Sequence, residues 1–118
     1  MSRNAELGRI GEDLAAAHLE SNGFRLIDRN WRCRHGEIDL IAEHDGHTVF
    51  IEVKTRAGEG FGHPFEAITP VKLARLRRLA SAWCESTGEG RRRIRIDAVA
   101  VLAPPGAPAV IERLENIG

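Results

Sequence analysis

A chain of 118 residues, 42% hydrophobic and 29% charged, has material for one core and is read as a single domain over residues 1–118. No apolar run approaches the ~20 residues of a membrane-spanning helix, and the charges scattered through the N-terminal pattern are not those of a secretory signal, so cytoplasmic residence is expected. Formal net charge is zero, which removes any overall pull on an anionic partner, yet Lys and Arg gather in Arg25–Arg34, Lys72–Arg78 and Arg91–Arg95, and distribution counts for more than the sum.

The first helix is predicted to start after Asn4, an acceptable N-cap, and to end near Asn22-Gly23 with Gly23 just past its C-terminus. Leu7, Ile10, Leu14 and Ala17 recur at helical spacing and define its expected buried stripe. Gly8 and Gly11 each lower helix stability by up to ~1 kcal/mol relative to alanine, which points to close approach of another backbone. Glu12 stands among Gly8, Gly11, Ala15 and Ala16 at helical neighbour positions. Such small surroundings turn its carboxylate into the protein; the alternative is a surface Glu paired with Arg9. Phe24–Ile27 reads as a short strand, followed by an irregular basic segment from Asp28 to His35 in which Trp31 plugs the core rather than stacking on a base.

Gly36 to Arg56 reads as two strands joined by Asp45-Gly46, a pair suited to the positive φ angles of a type I′ turn. A two-residue loop sets His44 opposite His47, Asp39 opposite Glu52 and Glu37 opposite Lys54. Alternation then places Ile38, Leu40, Ala42, Val49, Ile51 and Val53 on one apolar surface. Glu37, Asp39, Glu52 and Lys54 fall on the other, with Ile41 and Phe50 nearer the turn.

The Gly-rich stretch Ala57–Ile68 is expected to be a loop. Thr69-Pro70 opens a second helix that runs to about Ser86, with Gly88 beyond its end. Its predicted apolar face is Val71, Leu76, Leu79, Ala80 and Trp83, while Lys72 and Arg75 share one side and flank the pocket. Residues 88–93 read as a turn and Ile94–Leu102 as a strand, in which Asp97 is expected to pair with an arginine. A turn at Pro104-Pro105-Gly106 and an edge strand Ala109–Leu114 complete an α/β chain of order α-β-β-β-α-β-β, a central mixed sheet flanked by helices. Cys33 and Cys84 are too few for a disulfide framework or a zinc site.

Directly opposed residues in an antiparallel pair have Cβ atoms ~4.5–5.5 Å apart, and two carboxylates at that spacing do not both stay charged without a cation or a shared proton. Mg²⁺ or Mn²⁺ resolves the conflict through oxygen ligands. Asp39, Glu52 and the backbone carbonyl of Val53 can supply them, and Glu12 completes the acidic side. No His or Cys lies at tetrahedral ligand spacing, which disfavours zinc. Lys54 projects from the same face as Glu52, where an ammonium can orient a water or neutralise charge growing on a phosphate. The combination suits hydrolysis of a phosphodiester, with Arg32, Arg34, Arg56, Lys72 and Arg75 as candidate phosphate contacts. The bland alternative makes Glu52–Lys54 and Glu37–Lys54 exposed ion pairs.

Asp39 followed thirteen residues later by Glu52-Val53-Lys54 resembles the D…(D/E)xK signature of the PD-(D/E)XK nuclease superfamily. Glu12 on a preceding helix is similar to the extra acid of its archaeal-type Holliday-junction resolvases. Over nearly the whole chain, the set Gly8, Gly11-Glu12, Gly23-Phe24, Arg29-Asn30, Gly36–Ala42, Phe50–Arg56, Lys72 and Asp97 resembles the YraN family of bacterial proteins. One departure from the superfamily is Ile38, which stands where a proline is usual. The resemblance implies a restriction-endonuclease-like three-layer fold, a Mg²⁺-dependent endonuclease acting on DNA (branched or structured DNA by analogy with the resolvases), and a homodimer. A non-catalytic nucleic-acid-binding module and a scaffold with a vestigial acidic patch are the competing readings.

Overall fold

The computed structural model describes residues 3–58, 64–88 and 93–118. Helix α1 (Arg3–Ser21) is followed by β1 (Arg25–Cys33), β2 (Gly36–His44) and β3 (His47–Arg56). A 3₁₀ turn (Pro64–Ala67) leads into α2 (Pro70–Thr87), then β4 (Arg93–Leu102) and β5 (Val110–Leu114). The strands form one sheet in the order β1-β2-β3-β4-β5. All neighbours are antiparallel except β3 and β4, which run parallel because α2 carries the chain across the sheet between them. The predicted order α-β-β-β-α-β-β and the three-layer, restriction-endonuclease-like architecture are therefore what the chain adopts.

Two apolar clusters lie on opposite faces of the sheet. Against α1, Ala15, Ala16 and Leu19 pack on Leu40, Ala42, Val49, Ile51, Val99 and Val101. Against α2, Leu76, Leu79, Ala80 and Trp83 pack on Ile38, Ile41, Phe50 and Ile96. Both helix termini of α2 follow from local chemistry: the Thr69 hydroxyl accepts from the Lys72 N–H at 3.2 Å, Pro70 needs no donor in the first turn, and Gly88 closes the helix at φ 75°. Asp45 and Gly46 have φ of 50° and 76°, the type I′ signature, and the ladder pairs His44 with His47 as the two-residue loop requires.

Several expectations are corrected. In α1 the buried stripe is Gly11, Ala15, Ala16 and Leu19, whereas Ala17 is exposed and Ile10 is 50% exposed. The helix turns its smallest residues inward because it lies against the sheet at Gly11, where a Cβ would fall 1.8 Å from Thr55 Oγ1. Gly8 meets nothing within 4 Å, so close approach accounts for only one of the two glycines. Strand β1 does not stop at Ile27. It continues to Cys33 with a register shift between Leu26 and Asp28, absorbing the segment expected to be irregular. Val71 is 78% exposed, since the first turn of α2 overhangs the sheet and Leu73 takes the inward position. Ile38 packs with Ile41 and Phe50, on the face opposite Leu40. Residues 59–63 of the expected loop, and 89–92 of the expected turn, lie outside the described residues.

Candidate active site

The site is built where β2 and β3 part. Their ladder runs from His44↔His47 to Leu40↔Ile51, one step short of the expected Asp39–Glu52 pair. Beyond it the Asp39 carboxylate accepts the Val53 N–H at 2.8 Å, so a side chain takes the place of a backbone acceptor. On the other flank Arg29↔Leu40 and Trp31↔Ile38 bracket Asn30 opposite Asp39. Asn30 has φ 52°, a left-handed conformation that asparagine tolerates better than most residues. A ladder ending on one side and a left-handed residue on the other coincide with the break in alternation between Ile38 and Leu40. The strand twists at Asp39.

That twist and the docking of α1 bring acids together. Gly11 on Thr55 places the next residue, Glu12, over the open end of β3. Its side chain is 19% exposed, and its Oε1 accepts from Asn30 Nδ2 at 2.8 Å, with Arg29 Nη2 at 4.0 Å. Asp39 is part-buried and hydrogen-bonded to Glu52. Burial pushes its carboxyl up, as do the hydrogen bond and charge of Glu52 and the charge of Glu12; against the opposing Val53 N–H, the result is a pKa of about 9. Asp39 therefore carries a proton at neutral pH when no cation is present.

Lys54, two residues past Glu52 on β3, is half-buried and makes no ion pair among the described residues. The alternative of Glu52–Lys54 and Glu37–Lys54 pairs is not formed. Glu37 is instead bonded by Arg32 Nε at 2.8 Å, which also occupies one of the candidate phosphate contacts. Arg56 is half-buried, with Nη1 3.4 Å from Thr55 O and Nε buried without a partner among protein atoms. Arg75 lies beside the start of β2, its Cδ 3.8 Å from where a Cβ on Gly36 would stand. Lys72 is half-buried in the first turn of α2, and Arg34 is exposed next to His35. Among the described residues, no three His, Cys, Asp or Glu side chains converge as a ready-made metal cage. Two carboxylates with the Val53 backbone beside them are the oxygen donors that could hold an ion, and Glu12, bonded by Asn30, is near enough for its charge to raise the Asp39 carboxyl.

Asn30 is the site residue that sequence reasoning did not single out for a role. Its signal was an asparagine, the residue type most at ease with positive φ, inside a segment with no turn.

Proteins of similar sequence place the chain. A family described as "Uncharacterised protein family UPF0102" matches residues 11–101. The chain belongs to this family. A UPF0102 protein of Clavibacter michiganensis subsp. michiganensis is 54% identical over 112 residues, covering 95% of each chain. One from Leifsonia xyli subsp. xyli is 52% identical over 117 residues and 99% of each chain. A third, from Rhodococcus jostii, is 46% identical over 116 residues and 98% of each. The UPF0102 match begins at Gly11, the contact that seats Glu12, and it spans Asn30, Asp39, Glu52, Lys54 and Asp97.

Proposed function

We propose that this UPF0102 chain is a cytoplasmic, metal-dependent nuclease that hydrolyses phosphodiester bonds in DNA, branched or structured forms included. The observation that carries the reading is the approach of Glu52 and Glu12 to the part-buried Asp39, whose carboxyl is pushed up to about 9 by burial and by these acidic neighbours. Two carboxylates kept this close, in a cleft with an unpaired lysine, are costly to a merely structural protein. They suit a hard divalent ion.

Oxygen donors of this kind fit Mg²⁺ or Mn²⁺, which Asp39, Glu52 and the carbonyl of Val53 would hold. When bound, such an ion supplies Lewis-acid stabilisation of charge on a phosphoryl oxygen. The chain's own residues do the rest. Lys54 orients the attacking water and neutralises charge that grows on the phosphate in the transition state. Glu12, fixed by Asn30, keeps the acidic side of the cleft in place. Arg34, Arg56, Lys72 and Arg75 hold flanking phosphates, while Arg32 reaches one only after leaving Glu37. A homodimer would present two such clefts to a symmetric substrate.

Lys54→Ala tests this. The variant is expected to bind Mn²⁺ and DNA as the parent does but to lose cleavage by two orders of magnitude or more, on the order of ~3 kcal/mol of transition-state stabilisation. A cleavage panel of duplexes, single strands, flaps, four-way junctions and RNA reads it. Cleavage unchanged by the substitution defeats the assignment. Salt-sensitive binding with no metal-dependent cleavage anywhere in the panel leaves the non-catalytic binding module.

A further inference from the structure

Nine arginines of the described residues fall into two groups. Arg25, Arg29, Arg32, Arg95 and Arg113 each have a carboxylate partner. Arg34, Arg75, Arg77 and Arg78 form no ion pair among the described residues and are all exposed. Half-buried Arg56 and exposed Arg93 on β4 also form no ion pair among the described residues but stand outside the second group. That second group is not scattered. Arg77 and Arg78 line a groove of about 300 Å³ with Ser81 and Ala82 of α2 on one side and His35 of the β1–β2 turn on the other. Arg34 stands beside that histidine, its Nε 3.5 Å from Nε2, and Arg75 approaches Gly36 in the same turn. Glu85, the single acid in the lining, closes the end away from Arg75.

We propose that this groove is a second phosphate-binding subsite, which receives the sugar–phosphate backbone of a nucleic acid that also enters the Asp39–Glu52 cleft; for its partner it rests on the nuclease reading. Guanidinium groups left without carboxylates match phosphate by forked hydrogen bonding and charge. The serine hydroxyl and the imidazole add further hydrogen-bonding groups. Gly36 lies three residues before Asp39 on β2, roughly 10 Å along the strand and therefore about three base steps of a nucleic-acid backbone. The groove lies beside the turn that opens β2, the strand that carries Asp39.

The experiment measures equilibrium binding of fluorescein-labelled DNA and RNA duplexes of equal length, without metal, at several salt concentrations. It uses the parent chain, the double variant Arg77→Ala/Arg78→Ala, and Arg25→Ala as an exposed arginine far from the groove. All three substituted positions are exposed, and thermal melting checks that each variant is folded. The double variant is expected to bind both duplexes at least about fivefold more weakly, with the salt dependence reduced by one to two phosphate contacts, while Arg25→Ala stays within about twofold. Parent-like binding by the double variant overturns the groove, as does equal weakening by Arg25→Ala or a loss confined to one type of duplex. Cleavage is scored in parallel with Mg²⁺ added. Parent cleavage with no effect of the double variant on binding removes the groove alone; selective weakening without cleavage by the parent removes the nuclease reading alone; no binding by the parent removes the groove whatever the cleavage result.

Discussion

At Asp39, burial, the hydrogen bond that its protonated carboxyl donates to Glu52, and two neighbouring negative charges outweigh the single Val53 N–H that favours the carboxylate. The consequence for stability has a definite sign. A carboxyl whose pKa rises from 3.8 to about 9 on folding makes the folded chain the better proton binder in that window. Stability is then fully present below about pH 4 and declines as pH rises towards 9. Asp39→Asn keeps the acceptor for Val53 and cannot ionise. In metal-free buffer it is expected to be more stable than the parent at pH 8, by roughly 1–3 kcal/mol, with the gap shrinking at pH 5. Urea unfolding at the two pH values in EDTA measures it. An identical pH slope for both chains would mean that Asp39 is ionised after all. The proximity of Asp39 and Glu52 was legible from the turn; the part played by Asn30 was signalled only by its residue type, which tolerates a left-handed position without requiring one.

For the elements, α1 is the instructive case. Its C-terminal end was readable from Asn22-Gly23, but the helix already includes Arg3 and Asn4, so Asn4 is not its N-cap. Its buried face was not readable either, since apolar periodicity favoured Leu7, Ile10 and Leu14 over Gly11, Ala15 and Ala16. Contact distance decided the matter. A helix that must bring Glu12 to the sheet has to lie close, and only small residues allow it. A paired substitution separates this from helix propensity. Gly8→Ala, which meets nothing within 4 Å, is expected to stabilise by up to ~1 kcal/mol. Gly11→Ala makes the same change in propensity but drives a methyl into Thr55, and is expected to destabilise by about 1–3 kcal/mol while displacing Glu12. Thermal melts of the two variants check the opposite signs, and stabilisation by both would remove the tight contact. Strand β1 was underestimated for a related reason. Its basic residues look like loop, but their charges are absorbed by Glu43, Asp13 and Glu37 beside the sheet.

Across the whole molecule, the sheet is held by a buried polar knot centred on β4, where Asp97 pairs in register with Ile51. Asp97, fully buried, receives Arg95 Nε and Nη2 at 2.9 Å, Arg113 Nη1 at 3.2 Å and the Asn116 N–H at 2.9 Å. His44 stacks on Phe24 with ring centroids 3.8 Å apart and meets Arg95 Nη2 at 2.9 Å. This fulfils the expectation that Asp97 pairs with an arginine, and it ties β2, β4, β5 and the C-terminal tail together, with Phe24 just ahead of β1. Removing the acid strands Arg95, which is only 5% exposed. Asp97→Ala is therefore expected to destabilise by roughly 3–5 kcal/mol, read by urea denaturation. A loss under ~1 kcal/mol would show that water replaces the carboxylate.

The residue order by itself determined the element sequence, the hairpin register and the meeting of Asp39 with Glu52, because turn chemistry, capping and strand alternation act over a few neighbouring residues. Only the tertiary structure decided which face of α1 is buried, that β2 twists at Asp39, that Asn30 rather than a metal-facing geometry holds Glu12, and which arginines are left without acids. Those outcomes depend on how closely separate elements can approach, and on which charges far apart in the chain arrive within hydrogen-bonding reach, neither of which a local pattern encodes.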